Sequence, residues 1–421
     1  MLPIIELNII NNADLGDGVG YFENKPIFVP FSCAGDVLQV QITKQDKDFS
    51  RGEIVQILSA SEQRQTPPCE HFAMCGGCSL QHLSAPVYAN LKRGALQRII
   101  KKQTGSDNNV TKLFSVGVGA RRRAEFRIVV EKQSVVIGFS QANSHKIVEI
   151  NKCLVLEPKI VVFIKELQKC LASMKKPSNF WQLSVSYVND GLDVALHIKA
   201  NCSAADAQIL QEFAKNPSIT RLVCICGDKI QIIKNNDVHI NLADIAVKLP
   251  VGAFLQASSA AQVFIISLIK KYLADCRNIA DIYSGCGTYS FPLHNKNRHI
   301  HAYEGSEDMA SAMHNAILQH DLADYITVSI RDLFKKPLNY NELKYFDGVV
   351  INPPRNGALP QVQQLAKSGV KKIVMVSCNL ATFERDAASL YNAGYELAEA
   401  TPIDQFFWSA HLELVAYFIK K

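Results

Sequence analysis

From about Ala260 onward the sequence alternates helical stretches with short apolar segments: Asn278 to Tyr283, His299 to Glu304, Ile326 to Ile330, Phe346 to Ile351 and Lys372 to Ser377. Strands without polar alternation are buried on both faces, which predicts a parallel, doubly wound α/β sheet. Such a sheet binds small molecules outside the carboxyl ends of its strands, so residues at those ends are the ones to examine for chemistry. Helices are expected between the strands, for example over Asp308 to His320 and Gln361 to Ser368.

The preceding sequence has a different rhythm. Residues 1–60 hold short β-rich runs (Ile4 to Ile10, Ile27 to Phe31, Val37 to Ile42, Ile54 to Ser59) separated by Gly, Asp and Asn, which predicts a small β-barrel. Pro67-Pro68 closes that unit. Between Phe114 and Val238, strand-like runs surround helices near Pro158 to Lys175 and Ala204 to Lys215, an α+β module. Neither an internal repeat nor a low-complexity segment is found.

The formal net charge of +6 over 421 residues is too small to demonstrate a polyanionic partner. Its distribution is uneven, because the segment from Lys92 to Lys132 holds eleven basic and three acidic residues. This strip is either a solvated face or a surface that contacts nucleic-acid phosphates. The longest apolar runs, such as Ala260 to Ile269, fall well short of the roughly 20 residues that span a bilayer, so no membrane association is expected. The N-terminus lacks a basic flank followed by an apolar segment, which points to the cytoplasm and to reduced cysteines among the twelve present.

Five motifs carry candidate chemistry. In IADIYSGCGTYSFPL an apolar strand runs through Asp281, Gly285 and Gly287 into a helix, and the next strand ends in Glu304, 17 residues beyond Gly287. Glycines in a strand-to-helix turn allow close backbone approach to a ligand, and an acidic side chain at the next strand end accepts from ribose hydroxyls. With no phosphate-binding loop, a nucleoside without pyrophosphate fits better than a dinucleotide, and S-adenosylmethionine is such a nucleoside. The fourth strand ends in Asn352-Pro353-Pro354-Arg355, whose prolines hold Asn352 and Arg355 rigidly at the sheet edge. The fifth delivers Cys378-Asn379, and a final strand begins at His411 and Glu413. A cysteine nucleophile with a carboxylate base is what methyl transfer to an unactivated pyrimidine carbon requires. Separately, Cys69, Cys75 and Cys78 surround Gly76-Gly77, with Cys153 the best-placed fourth ligand; zinc and a four-iron cluster both suit the spacing.

These residues are recognisable. Through GDGVGYFENKPIFVP, CEHFAMCGGCSLQHL, RRRAEF, FLQAS, DIYSGCGTYSFPL, NPPRNG, VSCNLATFERD and HLELVAYF, in that order, the chain resembles the bacterial RNA (uracil-5-)-methyltransferases of the iron–sulfur, 23S ribosomal RNA type. The resemblance implies an N-terminal TRAM β-barrel that binds RNA over residues 1–62. It implies a central α+β domain over 63–240 and a Rossmann-like, S-adenosylmethionine-dependent methyltransferase domain over 241–421. Within the central stretch, 85–111 is implied to pack as a helix on the catalytic domain. Cys69, Cys75, Cys78 and Cys153 match the ligands of a four-iron, four-sulfur cluster, which the resemblance favours over zinc. The cofactor positions fall on Gln256, Tyr283, Thr288, Glu304, Asp332 and Asn352 beside Gly285 and Gly287; the nucleophile falls on Cys378 and the base on Glu413. Many relatives have Asp at Asn352, Phe at Tyr283 and Asn at Thr288 and Asp332, so Asn352 keeps a hydrogen-bonding side chain without its negative charge.

The expected reaction is addition of Cys378 to uracil C6, methylation at C5, removal of the C5 proton by Glu413 and release of 5-methyluridine from a base turned out of its stack. The expected partner is 23S ribosomal RNA, contacted by Arg121, Arg122, Arg123 and Arg127, and the chain is expected to act as a monomer. The competing readings are the same chemistry on transfer RNA, methylation of an exocyclic amine through Asn-Pro-Pro, and a non-catalytic RNA-binding iron–sulfur protein.

Overall fold

The structure, a computed structural model, describes residues 2–131, 134–142 and 144–420. The first six strands form one sheet in which Ile4–Asn8 pairs with Val37–Gln45, followed by Ser50–Ser59, Lys25–Val29, Gly18–Phe22 and Asn11–Asn12. Its two outermost strands are successive pieces of a single extended stretch, so the sheet has to curl until its ends approach. Ile9 N–H donates to the Asp36 carbonyl at 2.9 Å and Ile10 N–H to the Val19 carbonyl at 2.8 Å, carrying the chain across the seam. Among the described residues no ladder joins the two outer strands, so the expected barrel is a rolled sheet closed by chain continuity. The tight curl needs Gly52, where a Cβ would lie 2.2 Å from Val40 Cγ1. Alternating inward residues, among them Leu7, Ile27, Leu38 and Val40, fill the interior.

A seven-stranded sheet follows. Its order is Ile147–Glu149, Ser134–Ser140, Arg123–Glu131, Phe180–Val188, Gly191–Ile198, Ile219–Cys226 and Lys229–Asn235. Helix Pro158–Ala172 buries Ile160, Phe163, Ile164 and Leu167 in the same core as Phe126, Leu183 and Val194. All pairings are antiparallel except Gly191–Ile198 with Ile219–Cys226.

The third sheet has the expected doubly wound core. Strands Ile326–Ile330, His299–Glu304, Asn278–Ile282, Gly348–Ile351 and Lys372–Ser377 run parallel in that spatial order. Chain order reverses between Asn278–Ile282 and Gly348–Ile351, which opens a crevice at their carboxyl ends. Glu413–Lys420 and Tyr395–Asp404 extend the sheet antiparallel.

Helix Ala85–Thr104 belongs to this third layer in space although it lies far upstream in sequence. Its Leu96 and Ile100 join the core with Phe383, Ala400 and Leu412, and the short strand Phe114–Ser115 adds itself to the end of Tyr395–Asp404. The polar anchor is Asp404, which is fully buried. It accepts from Tyr88 O–H at 2.6 Å and Ser115 O–H at 3.1 Å, and its Oδ1 lies 3.2 Å from Lys92 Nζ.

Breaking one half of a buried ion pair strands the other charge. Lys92→Met is therefore expected to lower stability by about 3–5 kcal/mol in urea unfolding. The double variant Lys92→Met/Asp404→Leu should recover only part of that loss, because the Tyr88 and Ser115 hydroxyls then lose their acceptor.

Candidate active site

A cleft of about 1540 Å³ opens at the carboxyl ends of the parallel strands, with walls that also come from the cysteine loop and the central sheet. At its floor the turn after Asn278–Ile282 places Tyr283, Gly285 and Gly287 at φ of +65°, +59° and +90°. A side chain at Gly287 would meet Phe291 at 2.5 Å, so this turn must be glycine to seat the following helix. The Glu304 carboxylate is locked to the turn. It accepts from Gly285 N–H and Ser306 N–H, each at 2.8 Å, and keeps lone pairs free for hydroxyl donors. Asp281 is wholly buried; it accepts from Ser290 O–H at 2.6 Å, and burial pushes its carboxyl up to about 7.

Gln256, Tyr283, Gly285, Glu304, Asp332 and Asn352 all line the cleft, whereas Gly287 and Thr288 do not. Gly287 shapes the turn, and the Thr288 hydroxyl faces the Cys286 thiol. Asp332 is exposed, held by the Phe334 and Lys335 N–H groups and by Lys335 Nζ at 3.1 Å. The Tyr283 ring leans on Phe334 with centroids 5.6 Å apart.

A chain of amides crosses the site. The Tyr289 hydroxyl, fully buried, accepts from Asn352 Nδ2 at 3.4 Å and Gln256 Nε2 at 3.2 Å. Gln405 Nε2 then donates to Gln256 Oε1 at 3.0 Å and to Glu413 Oε2 at 2.7 Å. Asn352 donates where an aspartate could only accept, so the amide here suits a tyrosine oxygen that is already an acceptor. Neither Tyr289 nor Gln405 was legible as a site residue, because nothing in their local sequence marks them.

Cys378 and Glu413 come from adjacent antiparallel strands and line the same cleft. Glu413 is 3% exposed, and burial pushes its carboxyl up to about 7 against the bond from Gln405. Burial and the Glu413 charge push the Cys378 thiol up, opposed by the charge and hydrogen bond of Arg355. The Pro353-Pro354 turn, expected to hold Arg355 rigidly at the sheet edge, thus sets its cation against the sulfur, a partner the sequence did not name. Burial and the cations Arg355, Lys92 and Arg121 lower His411, which favours its neutral form.

Cys69, Cys75, Cys78 and Cys153 line one wall of the cleft and feel one another's charge. Gly77 N–H donates to Cys75 Sγ at 3.4 Å, the Val155 and Leu156 N–H groups face Cys153, and burial pushes Cys78 up to about 12. Among the described residues no group of three or more Cys, His, Asp or Glu side chains is gathered tightly enough for one metal ion.

The four arginines divide. Arg122 is a correction to the expected RNA contacts: it is 7% exposed, and its guanidinium is taken up by the Gln256 carbonyl, Ser259 Oγ and Gln262 Oε1 at 2.8–3.0 Å. It falls on the inward parity of Ala124, Phe126 and Ile128, which turns it from the surface. Arg121 lines the cleft near Cys153 and Cys78. Arg123 lies over the Phe254 ring at 5.3 Å and Arg127 over the Trp181 ring at 5.5 Å.

Comparison with known proteins agrees with this architecture. The tRNA (uracil-5-)-methyltransferase family model matches residues 89–421, and the TRAM domain model matches residues 5–55. An RNA methyltransferase of Brucella melitensis is 33% identical over 405 residues, covering 96% of this chain and 95% of the relative. The 23S rRNA (uracil(1939)-C(5))-methyltransferase of Vibrio campbellii is 28% identical over 412 residues, covering 96% and 93%. Among solved structures, the Pyrococcus abyssi tRNA (uracil-54, C5)-methyltransferase in complex with S-adenosyl-L-homocysteine superposes with a TM-score of 0.76. It is 21% identical, with 99% of this chain and 100% of that one covered.

The burial of Glu413 carries a stability consequence. Its carboxyl is raised in the folded state, so stability falls as pH rises from the ordinary carboxylate range through about 7. Glu413→Gln is expected to melt close to the parent at pH 5 and above it at pH 8. The gain should be roughly 2–3 kcal/mol, read from melting curves at the two pH values.

Proposed function

Because the chain belongs to the tRNA (uracil-5-)-methyltransferase family and methylates uracil C5 in RNA at the expense of S-adenosylmethionine, we propose that its substrate is 23S ribosomal RNA, with Cys378 as nucleophile and Glu413 as base. The observation that carries the assignment of roles is the convergence of Cys378, Glu413 and the Glu304-locked glycine turn on one cleft. The ribosomal substrate is supported by likeness along nearly the whole chain to the Vibrio enzyme named for it.

S-adenosylmethionine supplies an electrophilic methyl group. Gln256, Tyr283, Gly285, Glu304, Asp332 and Asn352 would hold it, Glu304 by accepting from ribose hydroxyls, while Gly287 and Thr288 shape the turn beneath. The Cys378 thiolate, favoured by Arg355, adds to C6 of the flipped uracil, and the ring electrons pushed towards C4 and C5 make C5 nucleophilic. Once C5 carries the methyl group, Glu413 removes the remaining C5 proton. The electrons of that C–H bond re-form the C5–C6 double bond and expel Cys378. Gln405 is a positioning residue, since one amide fixes both Glu413 and Gln256.

Residues 1–62 and 63–240 serve to bring RNA to the catalytic part, 241–421, with 85–111 packed on it. Cys69, Cys75, Cys78 and Cys153 would hold a four-iron, four-sulfur cluster, a reading supported by four thiols that line one cleft and lie near enough to feel one another's charge. The cluster would cross-link the 69–78 loop to the strand-end loop at Cys153. Among the described residues no helix is long and apolar enough to cross a membrane, and a cytoplasmic monomer is the form we propose.

The test compares RNA from cells with and without the gene, mapping lost 5-methyluridine by mass spectrometry. The mark should vanish from 23S RNA, return with the parent gene and stay absent with Cys378→Ala, while Glu413→Gln accumulates a denaturant-stable protein–RNA adduct. Loss from transfer RNA alone would replace the proposed substrate, and full activity of Cys378→Ala would overturn the mechanism. Anaerobically purified protein should contain iron and acid-labile sulfide in equal amounts. Stoichiometric zinc without sulfide would exclude the cluster.

A further inference from the structure

The central sheet holds an aromatic side chain that its own core does not need. The pairing of Phe180–Val188 with Gly191–Ile198 slips between Phe180 and Gln182, leaving Trp181 as the extra residue of a bulge. A bulge re-aims the side chain it carries. Phe180 beside it is 2% exposed and fills the core, whereas Trp181 is 37% exposed and faces outward. The Arg127 guanidinium lies 5.5 Å from the indole and is held by Gln182 Oε1 at 3.1 Å, and the His197 ring, tilted by 57°, has its centroid 5.5 Å away.

The indole opens into a side pocket of about 530 Å³ that also takes in Arg127, His145, Ser178 and Lys199, and among the described residues no acidic side chain lines it. Arg127 and Ser140 line both this pocket and the main cleft, so the two are neighbours along strand Arg123–Glu131. Nearer the reaction centre the same strand repeats the arrangement, with Arg123 over the exposed Phe254. Of the acidic residues on that face, Glu125 lies 3.7 Å from Arg123, and Glu131 stands at the far end of the strand. Flat aromatic faces flanked by cations along one strand are the combination that single-stranded nucleic acid requires, stacking for bases and charge for phosphates.

We propose that Trp181 is a stacking platform for an unpaired nucleobase flanking the methylated uridine, with Arg127 and Lys199 receiving the adjoining phosphates. The inference rests on the RNA-methylation reading. A uridine pulled from its stack leaves its neighbours unpaired, and a second base held on Trp181 would keep the strand extended along the path from Arg127 to Cys378.

The experiment measures anisotropy of a fluorescein-labelled single-stranded RNA with the full chain, alongside calorimetric S-adenosylmethionine binding. Trp181→Leu, which keeps apolar volume without the flat ring, should weaken RNA binding about tenfold to hundredfold. Trp181→Phe should stay within a few-fold of the parent, and S-adenosylmethionine affinity should not move in either. Arg127→Gln should reduce the salt slope by about one. Unchanged RNA affinity in Trp181→Leu, or equal losses in Trp181→Leu and Trp181→Phe, would overturn the platform. A parent chain that binds RNA but methylates none would sink the activity reading and leave the Trp181 comparison readable.

Discussion

Asp404 ties together elements that are remote in sequence. The Tyr88 and Ser115 hydroxyls and the Lys92 ammonium all reach its carboxylate, fixing helix Ala85–Thr104 and the edge strand Phe114–Ser115 to the end of strand Tyr395–Asp404. Burial alone would lower the ability of Lys92 to stay charged, and the facing carboxylate offsets that. The next residue is Gln405, whose amide positions Glu413. Lys92 also donates to the His411 carbonyl, Trp408 N–H donates to Tyr88 Oη at 2.9 Å, and Ser79 and Leu80 N–H donate to the Trp408 carbonyl at 2.9 and 3.0 Å. The loop between Gln405 and Glu413 is therefore held from the helix and from the cysteine loop together. Glu413, the proposed base carried on a strand end, gains its geometry from this clamp.

The reaction centre contains an electrostatic conflict. A thiolate at Cys378 and a carboxylate at Glu413 each make the other harder to form, and burial penalises both. For Cys378, the proposed nucleophile, Arg355 is the counterweight, fixed by two prolines and by the Asn379 Nδ2 bond to its carbonyl at 3.1 Å. For Glu413, the proposed base, the counterweight is the neutral Gln405 amide, and burial leaves its carboxyl raised to about 7. That division suits the chemistry: the nucleophile must be anionic before the base is used, and a carboxyl near 7 is a better proton acceptor than an ordinary one.

The parts visible in the sequence were those fixed by local pattern or by topology. Apolar runs such as Asn278 to Ile282 are visible because burial on both faces removes polar alternation, and a parallel sheet then places every strand terminus on one edge. Cys378, Glu304 and Asn352 follow from that rule alone. Tyr289, Gln256 and Gln405 meet only through tertiary packing, so their amide chain leaves no local trace. The rolled N-terminal sheet is a similar case: its short strands were legible, but its closure through one continuous stretch depends on pairing order. The four cysteines stood out by type and spacing, while the way they share a wall needed the fold.

The basic segment shows most plainly how folding sorts what composition lumps together. Lys92 enters a buried ion pair, Arg93 spends its guanidinium on the Val110 and Thr111 carbonyls, and Lys102 reaches Glu384 at 2.7 Å while Arg98 meets Asp14. Strand alternation then divides the arginine run, sending Arg122 inward and leaving Arg123 and Arg127 on the face that joins the cleft. Charge density across the segment therefore overstates the phosphates it can neutralise. On the strand face that joins the cleft, Arg123 and Arg127 remain outward, each lying over an aromatic ring. For an enzyme that must unstack its target base this is an effective use of few charges, because stacking surface compensates lost base–base contact where charge alone cannot.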